Sequence, residues 1–225
     1  MTPTIALFDI DGTLVTCGGA GRRSMTRAFA DLGASASCID FDFGGMTDRA
    51  IARRGLRASG RPETDAEIEA LIARYLGHLQ DELPRSAGFR VLPGVVALLD
   101  ALRTRPGLAL GLGTGNVVRG AATKLAQGGL LGRFAFGGYG CDHEDRAALL
   151  AAGAVRGAAQ LGLSVEACRV IVLGDTPRDV AAAHAIGASC VAVATGTFGV
   201  EALREGGPAL VVQDLTSPAV HAWFD

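Results

Sequence analysis

Short apolar runs separated by helical patterns are the feature that most restricts how this chain can fold. The runs do not alternate apolar with polar residues, which is typical of strands buried on both faces, as in a parallel sheet. There are five such runs: Thr4 to Phe8, Leu108 to Leu112, Val170 to Leu173, Cys190 to Ala194 and Leu210 to Val212.

Helical patterns lie between several of these runs. Val95 to Leu102 places apolar residues at helical spacing, and the Ala-rich stretches Arg146 to Leu161 and Arg178 to Ile186 also fit helices. Alternation of strand and helix predicts an α/β fold, with a doubly wound, Rossmann-like and mostly parallel sheet.

One interval breaks this rhythm. Between Thr16 and Gly88 the pattern is helical, with no convincing buried strand. We therefore predict an α/β core formed by residues 1–15 and 88–225, and a helical insertion over residues 16–87. The predicted helices of the insertion are Arg22 to Leu32, Asp48 to Ala58 and Asp65 to Leu83.

Composition excludes several classes of function. The 225 residues are 49% hydrophobic and 20% charged, with a net charge of −2, so nothing indicates binding to nucleic acid or to an anionic membrane. The N-terminus lacks a basic segment, no apolar stretch approaches a membrane span, and no cysteine pair is spaced as C-x-x-C. A cytoplasmic protein is expected, and both a monomer and a homodimer remain open.

Two carboxylates directly follow the first predicted strand. Asp9 and Asp11 stand there, and Gly12 allows a tight bend after them. Reactive groups in open α/β sheets gather at the C-terminal ends of strands. Close carboxylates suit a Mg²⁺ ion, and an Asp can attack phosphorus while a second acid protonates the leaving oxygen. The alternative is an ordinary turn in which Asp caps a helix.

A polar segment also follows the second predicted core strand. Thr114, Gly115 and Asn116 open a helix there, and a hydroxyl with free amides at a helix N-terminus can bind an anion. Helix capping by Thr114 is the alternative. The segment is not a dinucleotide-binding fingerprint, because Asn116 stands where the last glycine is required.

A third acidic segment follows Val170 to Leu173. Asp175 and Asp179 are one helical turn apart, so that they can share one face of the helix that starts there. Asp175 can cap this helix and still bind a metal ion.

These segments together resemble the motifs of the haloacid dehalogenase superfamily. The resemblance extends from Thr4 to about Val193 and favours phosphatases with a C1-type helical cap, such as the phosphoglycolate phosphatase branch. It implies Mg²⁺-dependent hydrolysis of a small phosphorylated metabolite. The motifs are Asp9-Ile10-Asp11-Gly12-Thr13, Thr114, a basic residue, and Gly174-Asp175-Thr176-Pro177-Arg178-Asp179.

The resemblance also implies residue roles. Asp9 would form an aspartyl-phosphate, Asp11 would act as general acid and base, and Thr114 would hold the transferring phosphoryl group. Mg²⁺ would be bound by Asp9, by Asp175 and by the backbone carbonyl of Asp11, and Asp179 would orient the site. Further phosphate contacts are expected from Gly12, Gly115 and Asn116.

The active-site cation is less directly specified. The family commonly uses Lys at the start of a helix, and Arg146 opens a helix here, whereas Lys124 is predicted to lie too far inside its helix. A surface arginine paired with Glu144 or Asp142 is the alternative for Arg146. In the cap, Arg49 is expected to reach the substrate, or else the segment merely caps the next helix.

Rival functions differ in the residues that they need. A dehalogenase would not need Asp11, and a phosphonatase would need a cap lysine that this chain lacks. A phosphomutase would share all four motifs and remains an alternative. A non-catalytic binding protein on the same scaffold is also an alternative, although the expected nucleophile and metal acids are present.

Overall fold

The computed structural model describes residues 2–224 and consists of strands and helices that alternate along most of the chain. The strands are β1 (Thr4–Phe8), β2 (Val15–Cys17), β3 (Phe89–Val91), β4 (Leu108–Thr114), β5 (Phe136–Tyr139), β6 (Arg169–Gly174), β7 (Ser189–Val193) and β8 (Leu210–Val212). The α-helices are α1 (Ala20–Ala30), α2 (Asp48–Ala58), α3 (Asp65–Glu82), α4 (Val95–Arg103), α5 (Val118–Gln127), α6 (Arg146–Gln160), α7 (Pro177–Ala185), α8 (Val200–Arg204) and α9 (Pro218–Trp223).

The central sheet is parallel throughout and confirms the predicted α/β fold. Its strand order is β5-β4-β1-β6-β7-β8 within the described residues. Residues of β1 alternate between two apolar cores, with Ala6 and Phe8 in one and Ile5 and Leu7 in the other. Both faces of β1 are therefore buried, which explains why its sequence is apolar without alternation.

One strand of this sheet was missed by the sequence analysis. β5 has the sequence FGGY, and glycine has a low propensity for strands. A Cβ at Gly138 would lie 1.8 Å from the carbonyl oxygen of Leu149 in α6. Gly138 therefore allows α6 to pack closely on β5. Because glycine has a low strand propensity, the same residue makes β5 hard to predict from the sequence.

The interval between the first strand and α4 also contains an unpredicted feature. β2 and β3 pair as an antiparallel ribbon, so that the chain leaves and re-enters the core along two adjacent strands. Between them α1 packs along α3, and α2 packs against α3. The three helices match the predicted helical stretches to within two residues at each end.

No helix within residues 2–224 combines the length and apolar character that a bilayer span requires.

Candidate active site

Three buried carboxylates meet at the C-terminal edge of the sheet. Asp9 follows β1 and Asp175 follows the neighbouring β6, while Asp179 lies in the first turn of α7. Each offers an oxygen within 4.8 Å of the others. All three residues are buried. Parallel pairing of β1 with β6 brings together acids that are 166 positions apart in the sequence.

The start of α7 orients Asp179. The Thr176 hydroxyl caps the helix by accepting from the Asp179 amide, and Asp179 Oδ2 accepts from the Thr176 amide at 3.0 Å. This reciprocal arrangement is a capping box, which satisfies backbone donors at the helix start. It occupies Oδ2 of Asp179 and leaves Oδ1 for a cation.

Arg146 provides that cation. Its Nε donates to Asp179 Oδ1 at 2.7 Å, and its Nη2 lies 3.1 Å from Asp9 Oδ2. The Nη2 atom is buried and also lies 2.5 Å from Asp179 Oδ1, so that one guanidinium pairs with both carboxylates. The guanidinium therefore places positive charge directly beside Asp9.

Arg146 is not a surface arginine paired with Glu144 or Asp142, which was the alternative prediction. Glu144 is instead paired with Arg53 at 2.7 Å, and Asp142 with Arg156 at 2.6 Å. Arg146 occupies the first position of α6, directly after the cap residue Asp145. Its side chain is only 8% exposed.

Negative charge exceeds positive charge at this point of the fold. Burial raises the pKa of Asp175 to about 9, and the charges of Asp179 and Asp9 add to the effect. Burial also raises the pKa of Asp9 to about 6, although Arg146 opposes the shift. Such shifts mean that the ionised carboxylates lack a sufficient counter-charge, which a further cation would supply.

The donor set fits Mg²⁺. Carboxylate oxygens of Asp9 and Asp175 are hard ligands, and Mg²⁺ is usually bound by one or two carboxylates together with substrate phosphate. Glycines leave space around Asp175: a Cβ would lie 1.7 Å from its Oδ2 if built on Gly196, and 2.2 Å if built on Gly12. Side chains at those positions would fill the space beside the carboxylate.

Asp11 lies apart from this acidic cluster and has its own cation. Lys124 Nζ donates to Asp11 Oδ2 at 2.6 Å, and Asn116 Nδ2 donates to the same oxygen at 2.8 Å. Burial alone would raise the pKa of Asp11, but Lys124 and hydrogen bonds from Lys124, Asn116 and Cys17 lower it below its ordinary value. These contacts favour the ionised form of the Asp11 carboxyl over its protonated form.

The expectation that Lys124 lies too far inside its helix is wrong. Lys124 is in the second turn of α5, but a helical side chain leans towards the N-terminus of its helix. The four-carbon stem carries the ammonium back to the helix start, where Asn116 Oδ1 accepts from it at 2.6 Å. Lys124 and Arg146 thus reach the same cavity from two different helices.

The predicted phosphate-binding segment lies beside Asp11. Gly12, Gly115 and Asn116 line the cavity, whereas Thr114 is fully buried behind them. The Thr114 hydroxyl accepts from Asn116 Nδ2 at 2.8 Å. The assigned phosphate contacts of these residues stay predictions.

Arg49 does not occupy the position expected from the sequence. Its guanidinium pairs with Asp65 at 2.8 Å and with Glu69, and its Nε lies 3.7 Å from Glu144. It is not among the residues that line the cavity. Asp65 and Glu69, in the first two turns of α3, bind its guanidinium outside the cavity, and neither acid was considered as a partner in the prediction.

A cavity of about 490 Å³ joins these groups and opens between the core and helices α1–α3. The loop before α2 forms part of its wall and is fixed to the core, since the Asp48 amide donates to the carbonyl of Gly115 at 2.8 Å. Thr195 and Gly196, after β7, line the cavity although they were not predicted; the Thr195 hydroxyl donates to the carbonyl of Gly12 at 2.6 Å. Their position after a buried strand was the available signal.

Known proteins are similar to this chain in sequence and in architecture. A family model described as haloacid dehalogenase-like hydrolase matches residues 3–187. A curated relative, Phosphoglycolate phosphatase of Rhodospirillum rubrum, is 32% identical over 230 aligned residues, which cover 96% of this chain and 89% of that protein. Phosphoglycolate phosphatase 1 of Pseudomonas aeruginosa is 29% identical and is matched over 95% of this chain and 77% of its own length.

A solved structure shows the same fold. The crystal structure of a hydrolase from Pseudomonas syringae superimposes with a TM-score of 0.72 at 22% identity, and the match covers 98% of each chain. Together with the family match over most of the sequence, this agreement leaves one conclusion. The chain belongs to the haloacid dehalogenase-like hydrolase family and is a phosphatase within it.

Proposed function

We propose that this phosphatase is a Mg²⁺-dependent phosphomonoesterase that forms an aspartyl-phosphate on Asp9. The observation that carries the proposal is the meeting of Asp9, Asp175 and Arg146 at the floor of one cavity. A nucleophile, a metal-binding carboxylate and a phosphate-binding cation are the three groups that phosphoryl transfer requires.

Bound Mg²⁺ would be held by Asp9, Asp175 and the carbonyl of Asp11, and it would offset the negative charge that develops on the phosphoryl oxygens. Arg146, whose guanidinium lies beside Asp9, would bind the same phosphoryl group. Asn116 and the backbone of Gly115 line the wall next to it.

The reaction then proceeds in two steps. An Asp9 carboxylate oxygen attacks phosphorus, the bond from phosphorus to the ester oxygen breaks, and Asp11 gives the departing alcohol the proton that it took from water in the preceding turnover. In the second step Asp11 takes a proton from water, whose oxygen attacks the phosphoryl group. Phosphate leaves and the Asp9 carboxylate is restored.

We further propose that residues 16–87 act as a cap over this site. Residues of the insertion, among them Arg22 and Tyr75, line the cavity. The chain enters α1 through Gly18 and Gly19, both with positive φ, and a Cβ at Gly18 would lie 2.6 Å from the Cα of Gly88. These crossing glycines are suited to a hinge, and closure would exclude water from the acyl phosphate.

The substrate is proposed to be a small phosphorylated metabolite. The two curated relatives are named for phosphoglycolate, and phosphoglycolate is therefore the first compound to test. Release of inorganic phosphate would be measured over a panel of phosphorylated acids, sugars and nucleotides with Mg²⁺. Turnover that requires a bisphosphate and releases no phosphate would contradict the proposal and favour a mutase.

Metal binding can be tested without an activity assay. Mg²⁺ is expected to raise the thermal unfolding midpoint of the wild-type protein, because it supplies the missing counter-charge between Asp9 and Asp175. Asp175→Asn is expected to be more stable than wild type in EDTA, since one buried carboxyl is removed, and to lose the Mg²⁺-dependent rise. Scanning calorimetry with and without Mg²⁺ measures both.

The matched control is Asp100→Asn, which changes an exposed acid paired with Arg133 far from the cluster. It should keep the full Mg²⁺-dependent rise. The same rise in Asp175→Asn would remove Asp175 from its assigned place in the metal site.

A further inference from the structure

Lys124 is the only lysine in the chain, and it is buried. Its side chain is 4% exposed, although it belongs to a helix whose other buried residues are glycine, alanine and leucine. Burying an ammonium is costly, and replacing a buried ion pair with apolar side chains is often neutral or stabilising. Fold stability alone therefore does not account for a lysine at this position.

The hydrogen bonds of the Lys124 ammonium involve the second acid of the site and its neighbour Asn116. Lys124 Nζ, Asn116 and Asp11 form a closed triangle, in which Nζ donates to Asn116 Oδ1 and Asp11 Oδ2 at 2.6 Å each. Asn116 Nδ2 completes the triangle by donating to Asp11 Oδ2 at 2.8 Å. One carboxylate oxygen of Asp11 is thus held by two donors, Lys124 Nζ and Asn116 Nδ2.

The other carboxylate oxygen of Asp11, Oδ1, is available to take part in the reaction. Asp11 Oδ1 accepts only from the Cys17 thiol, at 3.3 Å, among the described residues, and a thiol is a weak donor. Both residues line the cavity, but the Asp11 side chain is 44% exposed, whereas that of Lys124 is 4% exposed. A carboxyl fixed through Oδ2 therefore presents Oδ1 to whatever occupies the cavity.

We propose that Lys124 is a positioning residue for proton transfer: it holds Asp11 through Oδ2 so that Oδ1 faces the leaving oxygen of the ester. In this step the proton that Asp11 took from water in the preceding turnover passes from Oδ1 to the ester oxygen, as the bond from phosphorus to that oxygen breaks and the bond from Asp9 to phosphorus forms. Lys124 itself touches neither the substrate nor the transferred proton. The inference rests on the role proposed above for Asp11.

Two esters that differ in their need for a proton provide the test. Ethyl phosphate releases a strongly basic alkoxide that has to be protonated, whereas 4-nitrophenyl phosphate releases a stable phenolate. Lys124→Met keeps most of the side-chain volume and removes the two hydrogen bonds. It is expected to lower kcat/KM for ethyl phosphate by about 100-fold and for 4-nitrophenyl phosphate by less than about 10-fold, as misplacement of a general acid predicts.

Leu125→Ala is the matched control. Leu125 is the buried neighbour of Lys124 on α5 and does not line the cavity. Its truncation should lower the thermal unfolding midpoint and leave the ratio of the two kcat/KM values unchanged. If Lys124→Met reduced both esters equally, its role would be merely structural and the inference would be overturned.

A double variant separates this inference from the proposed function. If Lys124 acts through Asp11, adding Lys124→Met to Asp11→Asn should cause no further loss with ethyl phosphate. A further loss in the double variant, or an ester-dependent loss in Asp11→Asn that Lys124→Met does not share, overturns the inference alone. Equal losses on both esters for Asp11→Asn would instead overturn the acid role proposed for Asp11, and the inference with it.

Discussion

Asp9→Asn is expected to reduce phosphatase activity by roughly 10⁴-fold or more, the scale seen when a covalent nucleophile is removed. The amide cannot attack phosphorus and offers a poorer ligand to Mg²⁺. The fold should persist, because Asn has the shape of Asp and Arg146 keeps its 2.5 Å ion pair with Asp179. Steady-state phosphate release and thermal unfolding measure the two effects separately.

Asp100→Asn serves as the control for this change as well, since it also turns an acid into its amide but lies on the surface. Its activity should equal that of wild type. Turnover by purified Asp9→Asn within tenfold of wild type would eliminate Asp9 as the nucleophile.

Arg146→Met is expected to damage both activity and stability. Removal of the guanidinium leaves Asp9 and Asp179 buried without their cation, and breaking a buried pair in this way costs about 3–5 kcal/mol. In a chain of this size, each kcal/mol lowers the unfolding midpoint by about 2–4 °C. Loss of the phosphate-binding donor should lower kcat by about 10²–10³-fold, as for other transition-state donors.

Arg156→Met is the matched control on the same helix. Arg156 is 44% exposed on its side chain and pairs with Asp142 at 2.6 Å. Exposed pairs contribute about 1 kcal/mol or less, so only a small change in midpoint is expected. An Arg146→Met protein as stable and active as Arg156→Met would show that Arg146 is an ordinary surface residue after all. Arg146→Lys, which keeps the charge, should recover part of the activity.

Much of the site could be predicted because the strands of a parallel sheet all end at the same edge. Residues that follow different strands therefore lie close together there, even when they are far apart in the sequence. Asp9 and Asp175 each follow an apolar run that is recognisable as a buried strand, and such strands end at one edge of the sheet. Asp179 follows from helical spacing. These inferences need only local patterns and one topological rule.

Other parts depended on tertiary contacts that no local pattern records. Lys124 was rejected on its distance along the helix axis, yet the direction and length of its side chain bring the ammonium back to Asp11. Arg49 was assigned to the substrate, yet Asp65 and Glu69 of another helix bind it. Asp11 is 113 positions from Lys124, and Asp65 and Glu69 are 16 and 20 positions from Arg49 on a different helix, so that only the packing of elements brings these groups together.

The strand β5 illustrates a further limit. Its Gly137 and Gly138 oppose strand formation by propensity, and close packing against α6 outweighs that preference. These glycines permit close packing because they have no Cβ, but for the same reason their sequence does not predict a strand.

The most direct measurement is capture of the phosphorylated enzyme. The protein and Mg²⁺ would be mixed with an excess of a phosphate ester that the enzyme hydrolyses, and the reaction would be quenched in acid within milliseconds. The quenched protein would then be digested and its peptides examined by mass spectrometry. The peptide that contains Asp9 is expected to carry one phosphoryl group on that residue, and the group should be absent from Asp9→Asn. A phosphoryl group on a different residue, or active enzyme that never carries one at Asp9, would contradict the account.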